Sequence, residues 1–386
     1  MTDISMIRGQ GLKMNMHTDR YYDSYDAMAF LFDRYSASDR YKGNDEESLK
    51  EWQTKERTVL KKLIGLDKLL DGSMDAALTR GPNEDDIHPG LAVISSEKLP
   101  EGIIRKKCLF RVDEYTYMPM FVLYPAEKPK GTFLALAGHQ GGGKYSVAGV
   151  IDGGIIEEKT KFFNYDYGLK LARLGYTTIC PDPRGFGERR DKYAQGDDDK
   201  DIISCSCRNL GNMAISLGLT VVGLCVYDYI KLIEHITQSD EFDTDNLGVI
   251  GFSGGGMQAL YLSALDTRVK RTFISGYMYG VKDALLTLNN NCSCNYVPGL
   301  WEHFDMGDIA CMIAPRPLII QSCQNDHLNG ARGIVNVYEQ LDLIKNAYRI
   351  YDREDRLVHD IRPGEHHFHD EPLEGWLSQT CREEIK

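Results

Sequence analysis

The chain has 386 residues, 42% hydrophobic and 26% charged, enough apolar material for one large domain or two ordinary ones. Its 45 Lys and Arg against 57 Asp and Glu leave a formal charge of −12, and no basic cluster is long enough to follow a phosphate backbone, so nucleic acid is excluded as a partner. No stretch approaches membrane-spanning length, and the first residues lack a basic segment leading into an apolar run, so a cytoplasmic protein with no membrane partner is expected; self-association is left open.

Residues 1–90 read as a helical N-terminal extension packing on a core that occupies 91–386. Within it Leu49, Trp52, Val59, Leu60, Leu63, Ile64 and Leu66 recur mostly at helical spacing, which predicts an amphipathic helix over 46–70 seeking a partner surface. A Gly81-Pro82-Asn83 break and the acidic Glu84, Asp85 and Asp86 then separate this helix from the core. Strands are predicted in succession over 103–112, 117–124 and 132–137. After them the chain alternates: helix 167–174, strand 177–180, helix 219–237, strand 247–252, helix 255–265, strands 272–275 and 317–322, helix 332–346, a last strand 356–361 and a closing helix 373–384. Strands first, then strand and helix in turn, imply an α/β fold with a mostly parallel central sheet and helices on both faces.

Insertions near 188–218 and 277–308 interrupt the alternation. The first holds an acidic run, Asp197 to Asp201, that reads as a solvated loop because it lacks the ligand spacing of a calcium loop. The second carries Tyr279, Tyr296, Trp301, His303 and Phe304 and reads as a small cap, its aromatic residues forming a wall beside the active site. Ten cysteines are scattered along the chain and are expected to be reduced. Cys205 with Cys207 and Cys292 with Cys294 form two CxC pairs that could in principle hold zinc. The usual spacing is CxxC and free cysteine packs as a small hydrophobe, so neither a metal nor any other cofactor is expected.

Gly251-Phe252-Ser253-Gly254-Gly255 matches G-x-S-x-G between an apolar strand and a helix, the context in which a serine becomes a nucleophile on a strained turn. Small neighbours let the backbone pack there, and the Gly254 N–H at the helix start is placed to receive an oxyanion. Serine is too weak an acid to act alone, so an orienting carboxylate and a base are sought downstream. Asp326 follows the strand 317–322, with Asp352 and Asp355 as fallbacks. Pro363-Gly364-Glu365-His366-His367-Phe368-His369 precedes the final helix, and position favours His366 over His367 as base. A metal on these histidines is disfavoured, since they lack helical i, i+4 spacing. The other oxyanion donor is expected from the backbone of His139 or Gln140 in the loop Gly138 to Lys144, whose Tyr145 breaks the phosphate-loop pattern. Asp182 to Glu188 reads as an ion-paired turn bracing these loops, with Arg184 behind the substrate contacts. Tyr296, Trp301 and Arg184 are the candidate substrate-binding residues.

Taken together, Trp52-Gln53 with Arg57, the Gly138 to Lys144 loop, the Asp182 to Glu188 turn, Gly251 to Gly256, Ala264 to Arg268, Ala314 to Leu318 and Gly364 to Phe368 resemble the acetyl xylan esterase-like branch of the α/β-hydrolases, related to dienelactone hydrolases. The resemblance runs from about residue 45 to the end and implies a triad of Ser253, Asp326 and His366. It implies a serine esterase hydrolysing short acyl esters, acetyl foremost, on a small molecule or carbohydrate through an acyl-enzyme. Where the family often has His-Gly-His this chain has Ala137-Gly138-His139. Gly254 stands where glucuronoyl esterases carry Arg and the deacetylase branch carries Gln. The alternatives from other classes are a peptidase-like hydrolase acting on another ester or an amide, and an inactive hydrolase-fold binding protein.

Overall fold

The computed structural model describes residues 23–72, 90–192, 196, 198–289 and 291–382. Among them nine strands form one sheet: β1 (Leu91–Lys98), β2 (Ile104–Arg111), β3 (Tyr117–Tyr124), β4 (Thr132–Leu136), β5 (Thr177–Pro181), β6 (Gly248–Phe252), β7 (Arg271–Ser275), β8 (Leu318–Cys323) and β9 (Leu357–Arg362). Their spatial order is β1-β2-β3-β5-β4-β6-β7-β8-β9. Pairs from β1 to β3, and β3 with β5, are antiparallel, and every pair from β5–β4 to β8–β9 is parallel. This is the α/β-hydrolase architecture. Strands β4 to β8 are buried at every position and show no inside–outside alternation, because helices cover both faces.

On one face the helix Tyr167–Arg173 and the closing helix Leu373–Arg382 pack through Tyr167, Leu171, Leu373 and Trp376. The other face is covered by Val221–Thr237, Gly254–Leu265, Ile334–Ile350 and the N-terminal helix Glu46–Leu63. That last helix starts at Asp45, whose side chain accepts the Ser48 N–H, and buries Leu49, Gln53 and Leu60. Gln53 donates to Cys311 O at 2.8 Å and Ala314 O at 2.9 Å, while Arg57 donates to Ala264 O at 2.9 Å and Met312 O at 2.6 Å. The extension therefore satisfies carbonyls at the ends of Gly254–Leu265 and Met306–Cys311, groups that have no partner within their own helices.

The register Leu136↔Gly251 and Phe252↔Ser275 brings the carboxyl ends of β4, β6 and β7 level, so their loops emerge side by side. Strand β1 and the helices Ile155–Phe163 and Cys207–Ile215 were not anticipated from the sequence, and Tyr25–Tyr35 was covered only by the helical reading of 1–90. In β1 most side chains are exposed, leaving no burial alternation to read. The Gly81-Pro82-Asn83 break and its acidic loop lie outside the described residues, as does Asp197. Among the described residues no helix is long and apolar enough to cross a membrane.

Candidate active site

Ser253 sits between β6 and the helix Gly254–Leu265 at φ 57°, ψ −122°, a conformation costly for an L-residue and held because both flanks are fixed. Its N–H donates to Ser275 O at 2.9 Å. A Cβ on Gly254 would lie 2.7 Å from His139 Nδ1, so the imidazole occupies the space that a side chain after the serine would need. That accounts for glycine where related branches carry Arg or Gln.

Asp326, buried beyond the end of β8, accepts the Leu328 N–H on Oδ1 at 2.9 Å, which leaves Oδ2 facing His366 Nδ1 at 2.6 Å. The His366 ring stacks on Phe252, centroids 4.5 Å apart and 29° between planes. Gly276, at φ 60°, makes room for it, since a Cβ there would stand 3.0 Å from His366 Cε1. With Nδ1 engaged, Nε2 is the nitrogen free to exchange a proton with a nucleophile. His367 instead places Nδ1 2.9 Å from Phe162 O, and His369 lies 3.7 Å from Glu371. Asp352 and Asp355 precede β9 at the end of the sheet away from Ser253.

Ser253, His366, His139 and Gln140 line one cavity of about 740 Å³ with Phe162, Phe163, Tyr165, His327 and Leu328. A Cβ on Gly138 would stand 3.2 Å from Gly254 N, so the 138–140 backbone runs directly beside the first N–H of the helix. Gln140 adopts φ 63°, and Tyr165 donates to His139 O at 2.6 Å, fixing the peptide between the two oxyanion candidates.

Behind this loop Lys144 is fully buried, 2.6 Å from Asp182 Oδ2 and 3.4 Å from Glu188 Oε1, while its N–H donates to Asp182 Oδ1 at 2.8 Å. Burial raises the Glu188 carboxyl, but the Lys144 charge and hydrogen bonds from Lys107 and Tyr145 outweigh it and bring it down to about 2.

Sequence reasoning missed Gln321. From β8 it donates to His369 O and Asp360 Oδ2, both at 2.8 Å, and accepts from His369 N at 2.9 Å and Ser275 Oγ at 2.8 Å. It thus sews the histidine loop to the sheet. A buried glutamine in an otherwise apolar strand was the available signal.

Two expectations need correction. Tyr296 and Trp301 do not line the Ser253 cavity; they form a separate groove of about 580 Å³ with Phe32, Leu31 and Met28 of the helix Tyr25–Tyr35. Arg184 does not line the Ser253 cavity. It pairs with Asp228 at 2.7 Å on the helix Val221–Thr237, beside Arg189 on the same carboxylate, as an ion-paired turn does. The two CxC pairs, weighed together as a zinc site and then read as packing residues, converge: Cys205 Sγ lies 4.0 Å from Cys292 Sγ.

A strained serine, a histidine held by a buried aspartate and a parallel sheet in this order define an α/β-hydrolase. The model of the Abhydrolase family matches residues 115–371, and the chain belongs to that family. YtaP of Bacillus subtilis (strain 168), named as a hydrolase, is 25% identical over 250 residues, 64% of this chain and 78% of YtaP. Among solved structures, a Bacteroides fragilis NCTC 9343 protein assigned as an acetyl xylan esterase superposes with a TM-score of 0.72 at 17% identity, covering 93% of this chain and 95% of that one. The methylesterase BT1017 gives 0.61 at 17% identity, over 94% and 68%. A glucuronoyl esterase from Solibacter usitatus gives 0.59 at 16%, over 90% and 96%. At these identities the likeness is one of fold.

Proposed function

We propose that this chain is a serine esterase that removes short acyl groups, acetyl foremost, from a small-molecule or carbohydrate alcohol. The observation that carries the reading is the 2.6 Å contact between Asp326 and His366 on the cavity that also holds the strained Ser253. His366 Nε2 takes the Ser253 proton as Oγ attacks the ester carbonyl, and Asp326 holds the imidazole in the required tautomer. The oxyanion is received by the N–H of Gly254 and of His139 or Gln140, supported by the positive end of the helix Gly254–Leu265. Collapse expels the alcohol with the proton from His366. Water, deprotonated by the same histidine, then releases the acid. No cofactor enters these steps.

A short acyl group suits the His139 ring packed against Gly254, which crowds the corner beside Ser253. A carbohydrate alcohol is favoured by the exposed Phe162 at the rim, a flat apolar face on which a sugar ring can lie, and by relatives named for carbohydrate esters. The test is a series of p-nitrophenyl acetate, butyrate and octanoate beside acetylated xylo-oligosaccharides. Acetate should turn over fastest, and Ser253→Ala should be silent. Octanoate turnover equal to acetate overturns the acyl length, and activity surviving Ser253→Ala overturns the mechanism.

A further inference from the structure

Three segments remote in sequence meet behind the oxyanion loop. His139 comes from the loop after β4, Cys205 and Cys207 from the start of the helix Cys207–Ile215, and Cys292 and Cys294 from the turn at Ser293–Asn295. The donor atoms of His139, Cys205, Cys207 and Cys292 all lie within 4.8 Å of one another. Cys294 Sγ stands 3.5 Å from His139 Nε2, and Cys207 and Cys294 are buried. Packing alone does not explain this gathering. As small hydrophobes, thiols gain nothing by facing each other rather than methyl groups, and sulfur is a weak partner for a buried imidazole nitrogen.

The geometry points to a zinc site in which Cys205, Cys207 and Cys292 bind as thiolates and His139 through Nε2, with Cys294 alongside. Tetrahedral zinc, at about 2.3 Å from sulfur and about 2.0 Å from nitrogen, sets its ligand atoms about 3.5 to 3.8 Å apart, so from within 4.8 Å the donors need draw in by no more than about 1.3 Å. Thiolate and imidazole select zinc over magnesium or calcium, which need oxygen donors. On binding, three thiol protons leave to solvent, three Zn–S bonds and one Zn–N bond form, and nothing is oxidised or reduced. Four protein ligands close the coordination sphere, so the ion is a structural clamp and not a Lewis acid for substrate. It ties the 188–218 and 277–308 insertions to the loop after β4. The CxC spacing counts against a site only when each pair must serve alone. Here a histidine and two distant loops complete it.

Metal content does not depend on the esterase reading, so the two can fail separately. Protein purified under reducing conditions without chelator, then reconstituted with zinc(II) and dialysed, is measured by plasma mass spectrometry and zinc X-ray absorption. About one zinc per chain bound to three sulfurs and one nitrogen is expected. Cys205→Ser and Cys292→Ser should each lower the retained zinc by about tenfold or more, whereas Cys108→Ala, in β2, keeps it. The wild-type spectrum decides the matter even where a variant misfolds. Less than about a tenth of an equivalent after reconstitution, a Cys205–Cys292 disulfide in the reduced preparation, or a shell of four sulfurs without nitrogen overturns the assignment.

Discussion

Replacing His366 and His367 in turn separates two adjacent residues that the structure gives different work. His366→Ala removes the group that faces both Asp326 and the cavity, and leaves a buried carboxylate without its partner. The chemical step should slow on the order of 10⁴-fold in kcat, and stability should fall by about 1–3 kcal/mol for the orphaned acceptor. His367→Ala removes a single hydrogen bond to the Phe162 carbonyl, about 0.5–1.5 kcal/mol net, and should leave kcat within about threefold. Initial rates on p-nitrophenyl acetate, with active-site titration by an organophosphate to count competent serines, measure both. Combining His366→Ala with Ser253→Ala should add little to either alone, because the two act as one unit. An inactive His367→Ala beside an active His366→Ala would refute the assignment by one residue. If both stay active, the proposed triad is wrong.

Gln321→Leu keeps the shape of the strand but unpins His369 N and O. It should lower kcat by about tenfold or more with KM little changed, and should shift the acid limb of the pH–rate profile, which a purely structural loss would leave in place. Glu188 is ionised in the folded chain down to about pH 2, against an ordinary value of 4.5. Its contribution is whole above pH 4.5 and lost as pH falls toward 2, so the Tm advantage over Glu188→Gln should narrow through that window. Arg57→Ala uncovers the carbonyls of Ala264 and Met312 and should cost about 1–3 kcal/mol in urea unfolding with no change in KM.

The strained turn at Ser253 was legible because a G-x-S-x-G needs a strand before it and a helix after it, and the chain supplies both locally. Asp326 and His366 followed from their places after β8 and β9. What local pattern could not supply was direction and distance. Tyr296 and Trp301 lie between strands at the right end of the sheet, yet they face the helix Tyr25–Tyr35, whose apolar residues carry no mark of where they dock. The meeting of Cys205 with Cys292 is likewise set by how two insertions fold back on β4, and no spacing within either insertion records it. Gln321 escaped notice because a polar residue inside an apolar strand signals a buried partner without naming which loop it is.

The clasp made by Gln53 and Arg57 also sets a timetable for synthesis. Gln53 is bonded to a carbonyl 258 residues further along the chain, and Arg57 to one 207 residues on. A ribosome adding about 5–20 residues each second makes the apolar face of Glu46–Leu63 about 13 to 50 s before the surface that covers it. Through that interval its apolar face lacks its native cover, and the segment that supplies the cover is made before β8 and β9 complete the sheet.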